Sequence, residues 1–138
     1  MGWLLDTNAW IFYLKNPNSS IHAELESRAP GDIFTCSIVR AELLHGARKY
    51  GNPERRQAAV HHTLRPYRSL PFDDSAAARY AALRHQLEVN GKPIGPLDML
   101  IAAICLANDH TLVTSNTGEF SRVEGLLLAD WKTDPSLD

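Results

Sequence analysis

Cysteine is scarce: Cys36 and Cys105 are the only two in 138 residues. Each lies in an apolar stretch, and no spacing with other ligand-type residues suggests a zinc site. Both read as small buried hydrophobes, as expected in a reducing compartment, which argues against a disulfide or metal role. Long hydrophobic runs are lacking too. The longest candidate, Met99–Ala107, is about half of the roughly 18 residues that a membrane span needs. The opening residues Met1-Gly2-Trp3-Leu4-Leu5 meet Asp6 at once, which leaves no apolar region for a signal peptide. These absences lead to the expectation of a cytoplasmic protein without a membrane partner. There is also no excess of positive charge, the formal net charge being −2. A protein that grips nucleic acid by bulk charge is basic, so any such role here has to rest on a local patch or a bound cation. No glycine-rich turn follows the first apolar run, which excludes a dinucleotide-binding fingerprint. Nothing repeats and nothing is of low complexity.

What is present is ordinary for a globular chain: 44% hydrophobic and 22% charged residues. The length predicts a single domain over residues 1–132 with a flexible tail over 133–138. Trp3-Leu4-Leu5 reads as a buried strand ending at Asp6. Helices are predicted over Asn8–Leu14 and Ile21–Arg28. A second strand spans Ile33–Cys36, and Ser37 is expected to cap a helix over Ile38–Tyr50. Gly51-Asn52-Pro53 breaks that helix, and a polar one follows from Pro53 to Arg65. Ser69–Phe72 reads as an edge strand, since it contains proline. Asp73-Asp74 opens a long helix to Val89, ended by Asn90-Gly91. Pro96 starts an apolar helix with Asp98 in its first turn. Thr111–Thr114 and Leu126–Leu128 complete five strands. Alternation of strands and helices predicts an α/β sandwich with a parallel sheet and helices on both faces.

In such folds ligands bind beyond the carboxyl ends of the strands. Asp6 ends strand one, Glu42 lies early in the helix after strand two, Asp98 lies in the first turn of a buried helix, and Asn116 and Glu119 follow strand four. Each has a bland alternative: Asp6 as a helix cap, Glu42 as solvated surface, Asp98 as a favourable charge at a helix N-terminus. Gathered at one edge they repel one another, and buried carboxylates must protonate or find a cation. A hard divalent ion held by carboxylates and water, Mg²⁺ or Mn²⁺, fits that donor set. Thr7 and Ser115 adjoin these acids and could orient carboxylates or waters, although local turn bonds explain them equally well.

The segments Leu4-Leu5-Asp6-Thr7-Asn8, Ala41–Ala47, Gly91–Asp98 and Thr114–Phe120 resemble, in order and spacing, the motifs of PIN-domain nucleases, most closely the VapC toxins of type II toxin–antitoxin pairs. The resemblance runs from Leu4 to Trp131. It implies a three-layer α/β/α sandwich with a mainly parallel sheet of about five strands, and Asp6, Glu42 and Asp98 as an acidic metal pocket. Asn8 matches the position next to the first Asp. Many relatives carry an Asp where this chain has Asn116, so Glu119 is expected to supply the fourth carboxylate, with Asn116 beside it. The resemblance further implies an RNA substrate such as tRNA, a homodimer, and a VapB-like antitoxin that blocks the site.

Phosphodiester hydrolysis by metal-activated water suits such a pocket. Asp6 and Asp98 are the expected metal ligands, with Glu42 and Glu119 holding a second ion or ordering the attacking water. Substrate grip is expected from Arg48, Lys49, Arg55, Arg56, Arg65 and Arg68, opposed only by Glu54, a local balance of +5. A solvated helical face is the plain alternative. The adjacent His61 and His62 point different ways on a helix, which disfavours a joint catalytic role. Trp10, Phe12, Tyr13 and Leu14 read mostly as core, with some expected to line a partner groove. Among rival classes, a receiver-type domain wants an acidic pair after strand one, and an aspartyl phosphatase wants a second acid where Asn8 stands. The stronger rival is a PIN-like binding module acting with its antitoxin as a DNA-bound regulator.

Overall fold

A computed structural model describes residues 1–132; the tail expected over 133–138 lies outside the described residues. Five strands form one sheet: β1 (Trp3–Leu5), β2 (Ile33–Cys36), β3 (Arg68–Leu70), β4 (Thr111–Val113) and β5 (Leu128–Ala129). All neighbours pair in parallel, in the order β3-β2-β1-β4-β5. Leu4 and Leu5 are both fully buried, so β1 shows no in–out alternation, as a parallel strand covered on both faces requires.

Among the described residues seven α-helices cover the sheet: α1 (Thr7–Lys15), α2 (Ser20–Glu26), α3 (Ser37–Arg48), α4 (Pro53–Leu64), α5 (Asp74–Val89), α6 (Pro96–Ala107) and α7 (Thr117–Phe120). The chain moves outward from β1 to β3, then returns and moves the other way from β4 to β5. Right-handed crossovers therefore place α1–α4 on one face and α5–α7 on the other. The order reverses between β1 and β4, which makes their carboxyl ends the switch point where ligands bind.

Local chemistry sets the helix ends. Asp73 accepts from Ala76 N at 3.0 Å and caps α5. That helix ends at Gly91, whose φ of 65° lets Gly91 N and Lys92 N reach back to Glu88 O and Leu87 O at 3.1 Å each. Pro96 opens α6 with no N–H to waste. Residues Ile101–Cys105 of α6 are completely buried, so this helix forms the centre of one layer.

Three expectations shift. Ser37 is the first residue of α3, and Cys36 takes the cap position without a side-chain bond. The edge strand β3 starts one residue earlier and stops before Pro71. The last strand is Leu128–Ala129, because pairing with Leu112 and Val113 of β4 fixes its register. Beyond it, Trp131 is buried and Ser20 Oγ donates to its carbonyl at 2.6 Å. The Arg28 guanidinium stacks at 4.1 Å from the centre of the Trp3 ring and 4.8 Å from that of Trp131, clasping the end of the described chain to its beginning.

Candidate active site

Asp6 does two things at once. As the cap of α1 it accepts from Ala9 N through Oδ1 at 2.8 Å. Through Oδ2 it accepts from the Thr114 hydroxyl at 2.5 Å. Thr114 Oγ1 in turn accepts from Asn116 N at 2.9 Å, so one hydroxyl joins the ends of β1 and β4. Asp6 is 4% exposed. Burial raises its pKa and outweighs the two donors that lower it; the charges of Glu42 and Asp130 push it further up.

The other acids arrive from three further elements. Glu42, on α3, accepts from the Thr7 hydroxyl at 2.6 Å. Glu119, on α7, accepts from Asn116 Nδ2 at 3.1 Å. Asp98 sits third in α6, where Gly95 leaves it room: a Cβ there would come within 3.3 Å of Asp98 Oδ2. Burial, then Glu42, Asp6 and Glu119 in that order, raise the Asp98 pKa to about 6. The four expected carboxylates thus act on one another across the switch point.

Their donors are hard oxygens, with neither histidine nor thiolate among them. Among the described residues no three acidic, histidine or cysteine side chains stand close enough to enclose an ion unaided. A divalent cation that keeps several of its waters fits such a set; a dehydrated, fully caged one does not. Beside the acids a groove of about 300 Å³ runs between α1 and the ends of β4 and β5.

A match to the PIN domain spans residues 3–126. The chain belongs to the PIN-domain family. Within that family it belongs with the VapC ribonucleases. It is 35% identical over 129 residues to the tRNA(fMet)-specific endonuclease VapC of Shigella flexneri, covering 94% of this chain and 97% of the relative. It is 35% identical over 132 residues to the ribonuclease VapC2 of Rickettsia felis, covering 95% and 98%. The DNA-bound VapBC of Salmonella typhimurium superposes with a TM-score of 0.90 at 33% identity, covering 95% of this chain and 98% of that one. VapBC2 of Rickettsia felis, bound to a DNA fragment from its promoter, gives 0.89 at 34%, covering 95% and 99%.

In this PIN domain the flanking residues fall out unevenly. Thr7 and Asn116 each hold a carboxylate. Ser115 is exposed and bonds none; its neighbour Thr114 takes that place, because a strand end points alternate residues to opposite sides. Asn8 is exposed and lines the groove with Ser115. Phe12 lines it too, while Trp10 is fully buried core. Asp130 escaped the sequence reading. It ends β5 as Asp6 ends β1, and that shared pattern of an apolar strand stopping at a carboxylate was the available signal.

The basic residues form two groups. Arg40 of α3 meets His61 of α4 at 3.4 Å, so the two helices run antiparallel. Arg48 and Lys49 close α3, and Arg55 and Arg56 open α4, at the turn end of this hairpin. Arg65 and Arg68 follow the other end, about 18 Å away along α4 by helical rise. Arg48 lies about 9 Å beyond Glu42 along α3.

Proposed function

We propose that this PIN domain is a divalent-metal-dependent endoribonuclease, the toxin of a type II toxin–antitoxin pair, held inactive by a VapB-like antitoxin. The observation that carries the reading is the convergence of Asp6, Glu42, Asp98 and Glu119 from four elements at the switch point, with the Asp98 pKa raised to about 6 by burial first and by its acidic neighbours next. Carboxylates that raise one another's pKa in this way are relieved either by a proton or by a cation, and a divalent cation relieves them at neutral pH.

Asp6 and Asp98 are the residues that would hold the ion, Mg²⁺ with Mn²⁺ able to substitute. A bound divalent ion lowers the pKa of water and neutralises charge on a phosphate. Thr7 on Glu42 and Asn116 on Glu119 each occupy one carboxylate oxygen. The other oxygen is left to orient the attacking water and accept its proton. Thr114 and the amide of Ala9 favour the ionised form of Asp6, against the larger effect of its burial. Water attacking in line, with the 3′ oxygen leaving, yields a 5′-phosphate and a 3′-hydroxyl.

Relatives named for tRNA(fMet) cleavage support a structured RNA such as tRNA as substrate. Complexes named VapBC support the antitoxin partner. The DNA-bound complexes also favour a second role, in which toxin and antitoxin together occupy DNA. We further propose that the toxin is a homodimer and cytoplasmic. Purified protein freed of partner decides the first reading. Cleavage in Mg²⁺ or Mn²⁺, loss in excess EDTA, and 5′-phosphate ends by mass spectrometry are expected. RNA carrying a single 2′-deoxy nucleotide at the scissile position should still be cut. A 2′,3′-cyclic phosphate, or full activity in EDTA, would overturn it.

A further inference from the structure

Two grooves carry cations, one beside Asp6 and one on the segments that lead to Asp98 and away from Glu119. The first, of about 300 Å³, includes Asn8, Phe12, Lys15, Thr114 and Lys132 in its lining. It begins where the acids end, since Thr114 is the residue that bonds Asp6. Lys15 is the last residue of α1. Lys132 follows the clasped Trp131, and its ammonium lies 4.7 Å from the centre of the Phe12 ring, which holds the charge over this groove. The second, of about 440 Å³, is lined by Leu87, Asn90, Lys92, Ser121 and Arg122. One wall is the connection that delivers Asp98 to α6, and the other is the turn after α7, which carries Glu119. Arg122 Nη1 donates to Pro93 O at 3.0 Å and ties the two walls together.

Among the described residues the ion pairs are Arg28–Glu24 and Arg84–Glu88, so none of these four cations is held in an ion pair with a described carboxylate; the first groove has two cations to the one carboxylate of Asp130. The crossover rule puts α1 on one face and α5–α7 on the other, with the acids on the rim between them. A metal-binding acidic centre flanked by cationic grooves is the charge pattern for a polyanion whose reacting phosphate lies over the centre. Grooves at the small end of ligand-pocket size admit a nucleotide of an unpaired strand and no duplex.

We propose that single-stranded RNA crosses the carboxyl edge of the sheet from one groove to the other. Lys15 and Lys132 hold phosphate on one side of the scissile bond, and Lys92 and Arg122 hold it on the other. This rests on the ribonuclease reading and adds the path of the strand. The exposed cations at the α3–α4 turn then grip only distant parts of a larger folded RNA.

The test uses the Asp98→Asn background, so that bound RNA survives, and a short fluorescent single-stranded RNA titrated across a KCl series. Lys15→Ala with Lys132→Ala, and Lys92→Ala with Arg122→Gln, should each lower the slope of log affinity against log salt by about 1.4, two contacts at about 0.7 each. Arg55→Ala with Arg56→Ala should leave the slope on the short RNA unchanged. In the active protein the groove variants should raise KM and spare kcat. Lys92→Ala alone keeps the Arg122–Pro93 bond and should still lower the slope by about 0.7. Groove variants with the parental slope, in a protein that binds and cuts RNA, would overturn the path alone. So would variants that lose only a protein partner. A parent that cuts no RNA in Mg²⁺ or Mn²⁺ would overturn the ribonuclease reading and the path together.

Discussion

Burial acts on Asp98 first, and three neighbouring carboxylates act on it next. Its folded pKa of about 6 lies above the ordinary 3.8, so between those values the folded state keeps a proton that the unfolded chain has released. Stability therefore falls as pH rises through that window, and the loss is complete above about 6. The side chain is partly exposed, and solvent screening reduces the effect to about 1–2 kcal/mol. Asp98→Asn should abolish cleavage, flatten this part of the pH profile, and melt above the parent at pH 7 in EDTA; thermal melts from pH 4 to 7.5 check it. At Thr114 the hydroxyl bond to Asp6 is the variable. Thr114→Val keeps the shape and removes a hydrogen bond to a carboxylate, a loss of about 1.5–3 kcal/mol. Asp6 should then titrate higher, divalent binding by calorimetry should weaken, and Thr114→Ser should restore both.

At the scale of elements, the helix ends depend on single residues. Nothing stands within 4 Å of a Cβ built on Gly91, so Gly91→Ala meets no steric obstacle. It should still destabilise the fold by about 1 kcal/mol in urea unfolding, purely through its positive φ. The elements themselves were legible because their signals are local: Ile33–Cys36 between Gly31 and Ser37, Pro96 at the start of α6, Gly91 at the end of α5. β5 was read two residues early. Leu126 and Leu127 look like strand, yet Leu127 is exposed, and only the partner strand sets the register. The site divides in the same way. Asp6, Glu42, Asp98 and Glu119 announce themselves by position after strands or at helix starts. Thr114 acts through a hydrogen bond to Asp6 from more than a hundred positions away, which no local pattern encodes. Asp130 has the same local mark as Asp6, a carboxylate after an apolar strand, but only the fold brings its charge to bear on Asp6. The split of the basic residues is a matter of helix length, invisible to a count of charges.

For the whole molecule, charge is arranged on two length scales. The grooves serve the strand near the acids, while the α3–α4 turn projects its arginines elsewhere. Arg55→Ala with Arg56→Ala should therefore lower the salt slope for intact tRNA by about one unit per lost contact, while short RNA is unaffected; filter binding of both substrates checks it. The sheet order carries a different consequence, one of timing. β1, the first of the described strands in chain order, lies at the centre, and its partner β4 follows it by more than a hundred residues. Until residues 111–114 leave the ribosome, Asp6 has neither its strand neighbour nor the Thr114 hydroxyl. Neither the sheet nor the acidic site is then complete before β4 is available, so cooperative folding and cleavage are expected to appear together. A chain ending at residue 110 should show no cooperative unfolding by urea titration and no cleavage of RNA, whereas one ending at residue 132 should show both.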